Sequence, residues 1–200
     1  MATFYLIRHG SNDYLGKGLA GRLPNVHLNE EGKIQAANLA KALAHSGIQQ
    51  ILSSPLERTL ETAEPLSRAL GLKIEVCEQV LEVDFGNWNG ALMSDLQKVP
   101  HWQTYNSYRS GTRIPNGELV IEIQARFVRK LEELRTTHPD STIAIFSHGD
   151  PIRAGLSYYL GIPLDFLHRF EVSPGSYSVL RLENWGPQIL NINCVPQGIN

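Results

Sequence analysis

The sequence predicts an α/β sandwich with a mostly parallel sheet and an antiparallel edge. Three observations carry this. Short apolar runs at residues 4–7, 48–52, 73–77 and 142–146 alternate with longer segments of helical period. Two of the runs end alike, in Arg8-His9-Gly10 and in Ser147-His148-Gly149. The last two runs, 177–182 and 189–192, flank the turn sequence Asn184-Trp185-Gly186-Pro187, which predicts a hairpin.

Taken in order, Phe4-Tyr5-Leu6-Ile7 is a buried strand. Residues 11–27 are rich in Gly, Asn and Leu without a clear period, and read as a loop over that strand's end. Asn29 is a helix N-cap, with Glu30 and Glu31 in the first turn. Ile34, Ala37, Leu39, Ala40 and Leu43 form the helix's approximate apolar stripe, and Gly47 closes it. After the strand at 48–52, Pro55 suits the first turn of a helix that runs to about Leu70 and stops at Gly71. Pro65 should kink or interrupt it. Residues 78–90 carry two glycines and two asparagines and read as a loop. Residues 93–117 are the least regular part, with Trp102, Tyr105, Tyr108, Arg109 and Arg113, and read as a lid-like insertion. Residues 118–135 are a strong helix with Val120, Ile123, Phe127, Leu131 and Leu134 on one face. Asp150-Pro151 starts another helix, ended by Gly161; 163–167 is a short helical segment, and 170–172 is a further strand.

The composition suits one domain over residues 1–200. Of the 200 residues 42% are hydrophobic and 19% charged, enough apolar material for a well-buried core. A net charge of −2, with no block of like charges, argues against nucleic acid or an anionic membrane as main partner and leaves a small molecule. The two cysteines, Cys77 and Cys194, have no motif spacing and read as reduced thiols. No apolar run approaches the roughly 20 residues of a membrane helix, and no signal core opens the chain. A soluble, cytoplasmic protein is expected.

Parallel strands deliver their carboxyl ends to one sheet edge. Arg8, His9 and His148 should meet there. Arg58, early on the helix after the second strand, and Glu82, in the loop after the third, lie near the same edge. Two arginines, two histidines and a carboxylate suit a phosphate ester. Among the acids, Asp84 and Glu78 compete with Glu82 on position alone.

Arg8-His9-Gly10, Ser53-Ser54-Pro55-Leu56-Glu57-Arg58-Thr59, Glu82-Val83-Asp84-Phe85-Gly86-Asn87-Trp88 and Ser147-His148-Gly149 resemble, in order, the signatures of the histidine phosphatase superfamily, which includes the cofactor-dependent phosphoglycerate mutases. The resemblance implies a three-layer α/β/α fold, a phosphohistidine at His9, and Glu82 as the acid. On this reading Arg8, Arg58 and His148 hold the phosphoryl group. His9 attacks through one ring nitrogen while a backbone carbonyl holds the other. Glu82 protonates the leaving alkoxide and then takes a proton from water, which needs a raised pKa. No metal and no cofactor are expected.

The chain departs from the family's usual pattern after Gly10, where Ser11 and Asn12 follow, and after Gly149, where Asp150 follows. Ser11 and Asn12 are expected to supply hydroxyl and amide contacts to phosphate. Asp150 would repel phosphate unless it points away. A phosphatase acting on a small phosphorylated metabolite is the first reading, because the insertion at 93–117 is short for a mutase. Arg109 and Arg113 keep the mutase as an alternative, and the departures keep a silent phospho-ligand binding module as a second.

Overall fold

The computed structural model describes residues 1–197. Six strands form one sheet: β1 (Ala2–Arg8), β2 (Gln50–Ser53), β3 (Ile74–Val76), β4 (Thr142–Ser147), β5 (Tyr177–Glu183) and β6 (Gly186–Cys194). Their order across the sheet is β3-β2-β4-β1-β5-β6. The first four strands in that order are parallel; β5 runs antiparallel to β1 and forms the expected hairpin with β6.

Side-chain alternation sorts the strands' residues onto two faces. On one face Phe4, Leu6, Ile143 and Ile145 pack with Phe127, Leu131, Ile152 and Leu156 of helices α5 (Val120–Thr137) and α6 (Gly149–Leu160). On the other, Ile7, Ile51, Ala144 and Phe146 pack with Leu39, Leu43, Ala63 and Leu66 of α1 (Glu30–Leu43) and α2 (Glu57–Leu70). The result is the three-layer arrangement, helices on both faces of the sheet.

Residues 93–117 hold two short helices, α3 (Met93–Leu96) and α4 (Pro100–Ser107). They seat Trp102 and Tyr105 edge-on to Trp88, with ring centroids 5.3 and 5.6 Å away. This aromatic group joins Val83, Ile123 and Leu167 in a second core over the carboxyl end of the sheet.

The structure differs from the sequence reading in several places. Ile34 is 62 % exposed and Ala37 is exposed as well; the buried face of α1 is Gly32, Ala36, Leu39, Ala40 and Leu43. Gly32 sets that rotation, because a Cβ there would stand 2.2 Å from the carbonyl oxygen of Ser11. Asn29 does cap the helix, accepting the Gly32 N–H at 2.9 Å. Pro55 precedes α2, and the helix passes through Pro65 without a break, held on the sheet by buried Thr62, Ala63 and Leu66. The loop at 78–90 contains two 3₁₀ turns, Glu78–Val80 and Gly86–Trp88. Residues 170–172 are not a strand. The Val172 carbonyl accepts from Arg8 instead of a neighbouring strand. Among the described residues no helix is long and apolar enough to cross a membrane.

The tight crossing of α1 over the His9 loop gives a stability prediction. Gly32→Ala gains up to about 1 kcal/mol of helix propensity. It also drives a methyl into backbone atoms, 2.2 Å from Ser11 O and 2.9 Å from Ser11 N. Overpacking of that kind costs roughly 1–3 kcal/mol, and here neither partner is a flexible side chain. The clash should win, lowering Tm by about 2–6 °C for a chain of this size. A calorimetric scan showing an unchanged or higher Tm would contradict the close approach.

Candidate active site

β1 and β4 are neighbours in register, with Arg8 opposite Ser147, and the His9 N–H donates to the Ser147 carbonyl at 3.1 Å. This pairing brings the two histidines together. Their rings meet edge to face, centroids 5.2 Å apart. β2 ends beside them, and the hydroxyl of Ser54 lies 2.9 Å from His148 Nε2.

A cavity of about 400 Å³ opens on this edge. Arg8, His9, Arg58, Glu82 and Asp150 stand on its walls, with Gly149 at the N-terminus of α6. The helix end adds partial positive charge. A Cβ at Gly149 would stand 3.4 Å from Arg8 Nε and 3.1 Å from Arg153 Nη1, so the glycine lets both guanidinium groups approach the helix end.

His9 is buried, and its Nδ1 donates to the Gly10 carbonyl at 2.7 Å. A carbonyl only accepts, so the proton sits on Nδ1 and Nε2 carries the lone pair. Burial, then the Arg58 and Arg8 cations, hold the imidazole well below its usual range. It is neutral at pH 7, with the Nε2 lone pair that a nucleophile needs.

Arg58 is 1 % exposed. Its Nη2 donates to Gly21 O at 2.6 Å and lies 3.2 Å from His148 Nδ1, while Nε and Nη1 have no partner among the described residues. Arg8 is anchored by Nη1 on Val172 O at 2.6 Å, with Nε unpartnered. Buried donors without acceptors are rare. Arg8 and Arg58 both stand on the cavity with His9, which places two cations where an oxyanion would be bound.

His148 is fully buried and kept neutral by that burial and by Arg58. Its Nδ1 edge points between Arg58 Nη2 at 3.2 Å and Glu82 Oε2 at 3.8 Å. Arg58 Nη2 can only donate, so this contact makes Nδ1 the acceptor and puts the ring proton on Nε2, where the Ser54 hydroxyl accepts it. The other tautomer, with Ser54 donating to Nε2, is the one that presents Nδ1–H to a phosphate oxygen.

Glu82 is raised to about 7, first by burial and then by Asp150, against the pull of Arg58. Its Oε1 accepts the Val83 N–H at 2.9 Å, which leaves Oε2 to carry the proton. Of its two rivals in sequence, Asp84 turns to the Gly86 N–H at 2.9 Å and Arg22 at 3.6 Å, and neither Asp84 nor Glu78 stands on the cavity.

Asn12 lines the cavity; its Oδ1 accepts from Tyr14 N–H at 3.0 Å. Ser11 does not line it. The Ser11 backbone serves the entry to α1 instead, donating to Gln35 Oε1 at 2.8 Å and accepting from Asn29 N–H at 3.1 Å. Asp150 stays ionised: burial pushes its carboxyl up, but Arg109, His168 and Arg153 outweigh this and hold it low. Arg109 approaches it at 3.2 Å and Arg153 at 3.4 Å. Sequence reasoning assigned no role to Ser54 or Arg153; the Ser-Ser-Pro signature was the only signal for the first. Among the described residues no three His, Cys, Asp or Glu side chains form a metal-binding group.

The family model described as "Histidine phosphatase superfamily (branch 1)" matches residues 4–195. "Phosphoserine phosphatase 1" of Hydrogenobacter thermophilus is 31% identical over 195 residues, 96% of this chain and 92% of the relative. "Probable phosphoglycerate mutase GpmB" of Escherichia coli is 30% identical over 166 residues, 82% of this chain and 77% of the relative. The solved structure of Bacillus stearothermophilus YhfR superposes with a TM-score of 0.89 at 22% identity, covering 96% of both chains, a likeness of fold.

Vanadate, an oxyanion of phosphate's shape, should bind against Arg8, His9 and Arg58. Arg58→Ala removes a charged donor pair and should weaken that binding about 10–100-fold, the size of a lost charge-assisted hydrogen bond. Titration calorimetry of both proteins reads this directly. Equal affinities would place the anion elsewhere.

Proposed function

The chain belongs to the histidine phosphatase superfamily, and from that premise we propose a phosphomonoester phosphatase that acts on a small phosphorylated metabolite through a phosphohistidine at His9. The single observation behind the reading is one cavity on which a neutral His9 with a free Nε2 stands beside the guanidinium groups of Arg8 and Arg58.

In the first half-reaction His9 Nε2 attacks phosphorus and the ester P–O bond breaks. The proton on Glu82 Oε2 passes to the leaving alkoxide. Arg8, Arg58 and His148, with the α6 N-terminus, stabilise the three equatorial oxygens. Asn12 can add an amide contact. In the second half-reaction water attacks phosphorus, gives its proton to the Glu82 carboxylate, and the P–N bond breaks. Phosphate leaves and both residues return to their starting states. A carboxyl near 7 can serve both halves.

Hydrolysis is favoured over mutase chemistry by where the two extra arginines of the lid go. Arg109 is spent on Asp150, Asn106 and the Tyr105 ring, and Arg113 pairs with Glu122 on the surface. Neither is left to retain a phosphorylated intermediate. The silent-module alternative has little support, since nucleophile, acid and phosphate donors share one cavity. The chain is taken as one domain over 1–200, with 93–117 as its lid. Two free cysteines fit a reducing compartment and a cytoplasmic location. The phosphoserine phosphatase relative puts alkyl phosphates of that size first in any assay.

A substrate labelled in its phosphoryl group should transfer acid-labile label to the protein, and His9→Ala should abolish it. Label persisting in the variant would remove His9 as nucleophile. Glu82 adds a pH signature. Its acid form is full below about 7 and is lost as pH rises, so kcat/KM for an alkyl phosphate should fall above pH about 7. Glu82→Gln should lower that kcat/KM roughly 10²–10⁴-fold and flatten the fall, with a much smaller effect on p-nitrophenyl phosphate, whose leaving group needs no proton. A fall that survives in the variant would assign the acid to another group.

A further inference from the structure

Glu118 lies outside the cavity, yet four hydrogen bonds converge on its carboxylate. Oε2 accepts from Arg22 Nη2 at 2.9 Å, Arg126 Nη2 at 3.3 Å and the Asp84 N–H at 2.9 Å; Oε1 accepts from Arg126 Nε at 3.2 Å. The Glu118 N–H donates in turn to the Asp84 carbonyl at 3.0 Å. Gly117 permits this contact, since a Cβ there would stand 2.3 Å from Asp84 O.

Both arginines have a second target, and it is the same atom. Arg22 Nε donates to the Glu82 carbonyl oxygen at 2.9 Å and Arg126 Nη2 at 3.1 Å. Both lone pairs of that oxygen are therefore held by cations. The Glu82 carbonyl and the Val83 N–H belong to one peptide plane, which cannot twist independently. That N–H is the donor that fixes Glu82 Oε1. A continuous chain of contacts thus runs from Glu118 through two guanidinium groups and one rigid peptide to the carboxyl that faces His148.

We infer that Glu118 is a positioning residue for the acid–base group Glu82, acting through Arg22 and Arg126 to fix the direction of its Oε2. The inference rests on the reading of Glu82 as the acid. Two arginines on one carbonyl repel each other unless an anion offsets them; Asp84 reaches Arg22 alone, at 3.6 Å, and Glu118 is the carboxylate that pairs with both. Arg22 follows Gly21, whose carbonyl accepts from Arg58, so the same clamp steadies the loop on the phosphate side. Positioning errors of about 1 Å cost on the order of 10² in rate even when the displaced group remains present.

The experiment compares wild type, Glu118→Gln, Glu82→Gln and the double variant on an alkyl phosphate and on p-nitrophenyl phosphate. Circular dichroism checks folding. Glu118→Gln should lose about 10–100-fold in kcat/KM on the alkyl ester while staying within about 3-fold on p-nitrophenyl phosphate, because kcat/KM reports the phosphorylation of His9 and not the later step in which Glu82 acts as base. In the double variant Glu118→Gln should add no further loss on the alkyl ester, because the group it positions is already gone. Equal losses on both substrates, or losses that multiply in the double variant, would overturn the inference. Should Glu118→Gln fail to fold, Arg22→Gln, which cuts one strand of the clamp at a partly exposed side chain, must show the same leaving-group split, and its failure to do so is equally decisive. If Glu82→Gln itself shows no split, the acid assignment falls and takes this inference with it. If Glu82→Gln splits and Glu118→Gln does not, Glu118 alone is wrong.

Discussion

A guanidinium buried to 1 % exposure with Nε and Nη1 unpartnered is the constraint on which the site depends. Arg58 cannot lose its proton, so the protein must tolerate a buried cation. Among the described residues no carboxylate forms an ion pair with it; its acceptors are neutral, Gly21 O at 2.6 Å and His148 Nδ1 at 3.2 Å. The charge instead acts on its surroundings. It holds both histidines neutral together with burial, and it opposes the burial that raises Glu82. On the proposed reading, an oxyanion in the cavity would meet cations that burial has already desolvated.

The fold supplies this arrangement through adjacency. Because β4 inserts between β1 and β2, the three strand ends that bear His9, Ser54 and His148 lie side by side. His9 and His148, far apart in sequence, become ring neighbours because the strands that carry them are adjacent. The acid comes from a different source, the loop beyond β3, and that loop has no ladder to fix it. Its fixation falls to side chains, the Arg22, Arg126 and Glu118 group beneath it and the Trp88 aromatic core around it. His9 and His148 are thus held by the backbone of strand ends, whereas Glu82 is held by side-chain charge and aromatic packing.

This division also explains what was legible in the sequence. β1, β4 and α5 have unambiguous periods, and the three strand-end signatures needed only the rule that parallel strands end on one edge. Glu82 could be separated from Asp84 only by family resemblance, because the deciding contacts come from Arg22 and Glu118, far away in sequence. The face of α1 was misread at Ile34 since close backbone approach at Gly32, rather than hydrophobicity, sets its rotation. α3 and α4 are too short to show a period; packing against Trp88 makes them helical. Ser11 reads as a phosphate contact in the sequence, but its own N–H and carbonyl serve α1.

Asp150 brings the charge balance to its last step. A second carboxylate in a phosphate cavity is unfavourable by itself, yet here it is ionised and pinned by Arg109 and Arg153. Its field falls on Glu82, where it adds to burial in keeping the proton on. Two carboxyl groups in one cavity are thereby driven in opposite directions, one held as an anion below the usual carboxylate range and the other raised to about 7. Only the second has a proton to give at neutral pH. Arg109 follows α4, so the segment 93–117 supplies one of the cations, with Arg153 and His168, that keep Asp150 charged. Packing of that segment and the proton affinity of Glu82 are therefore linked through Asp150.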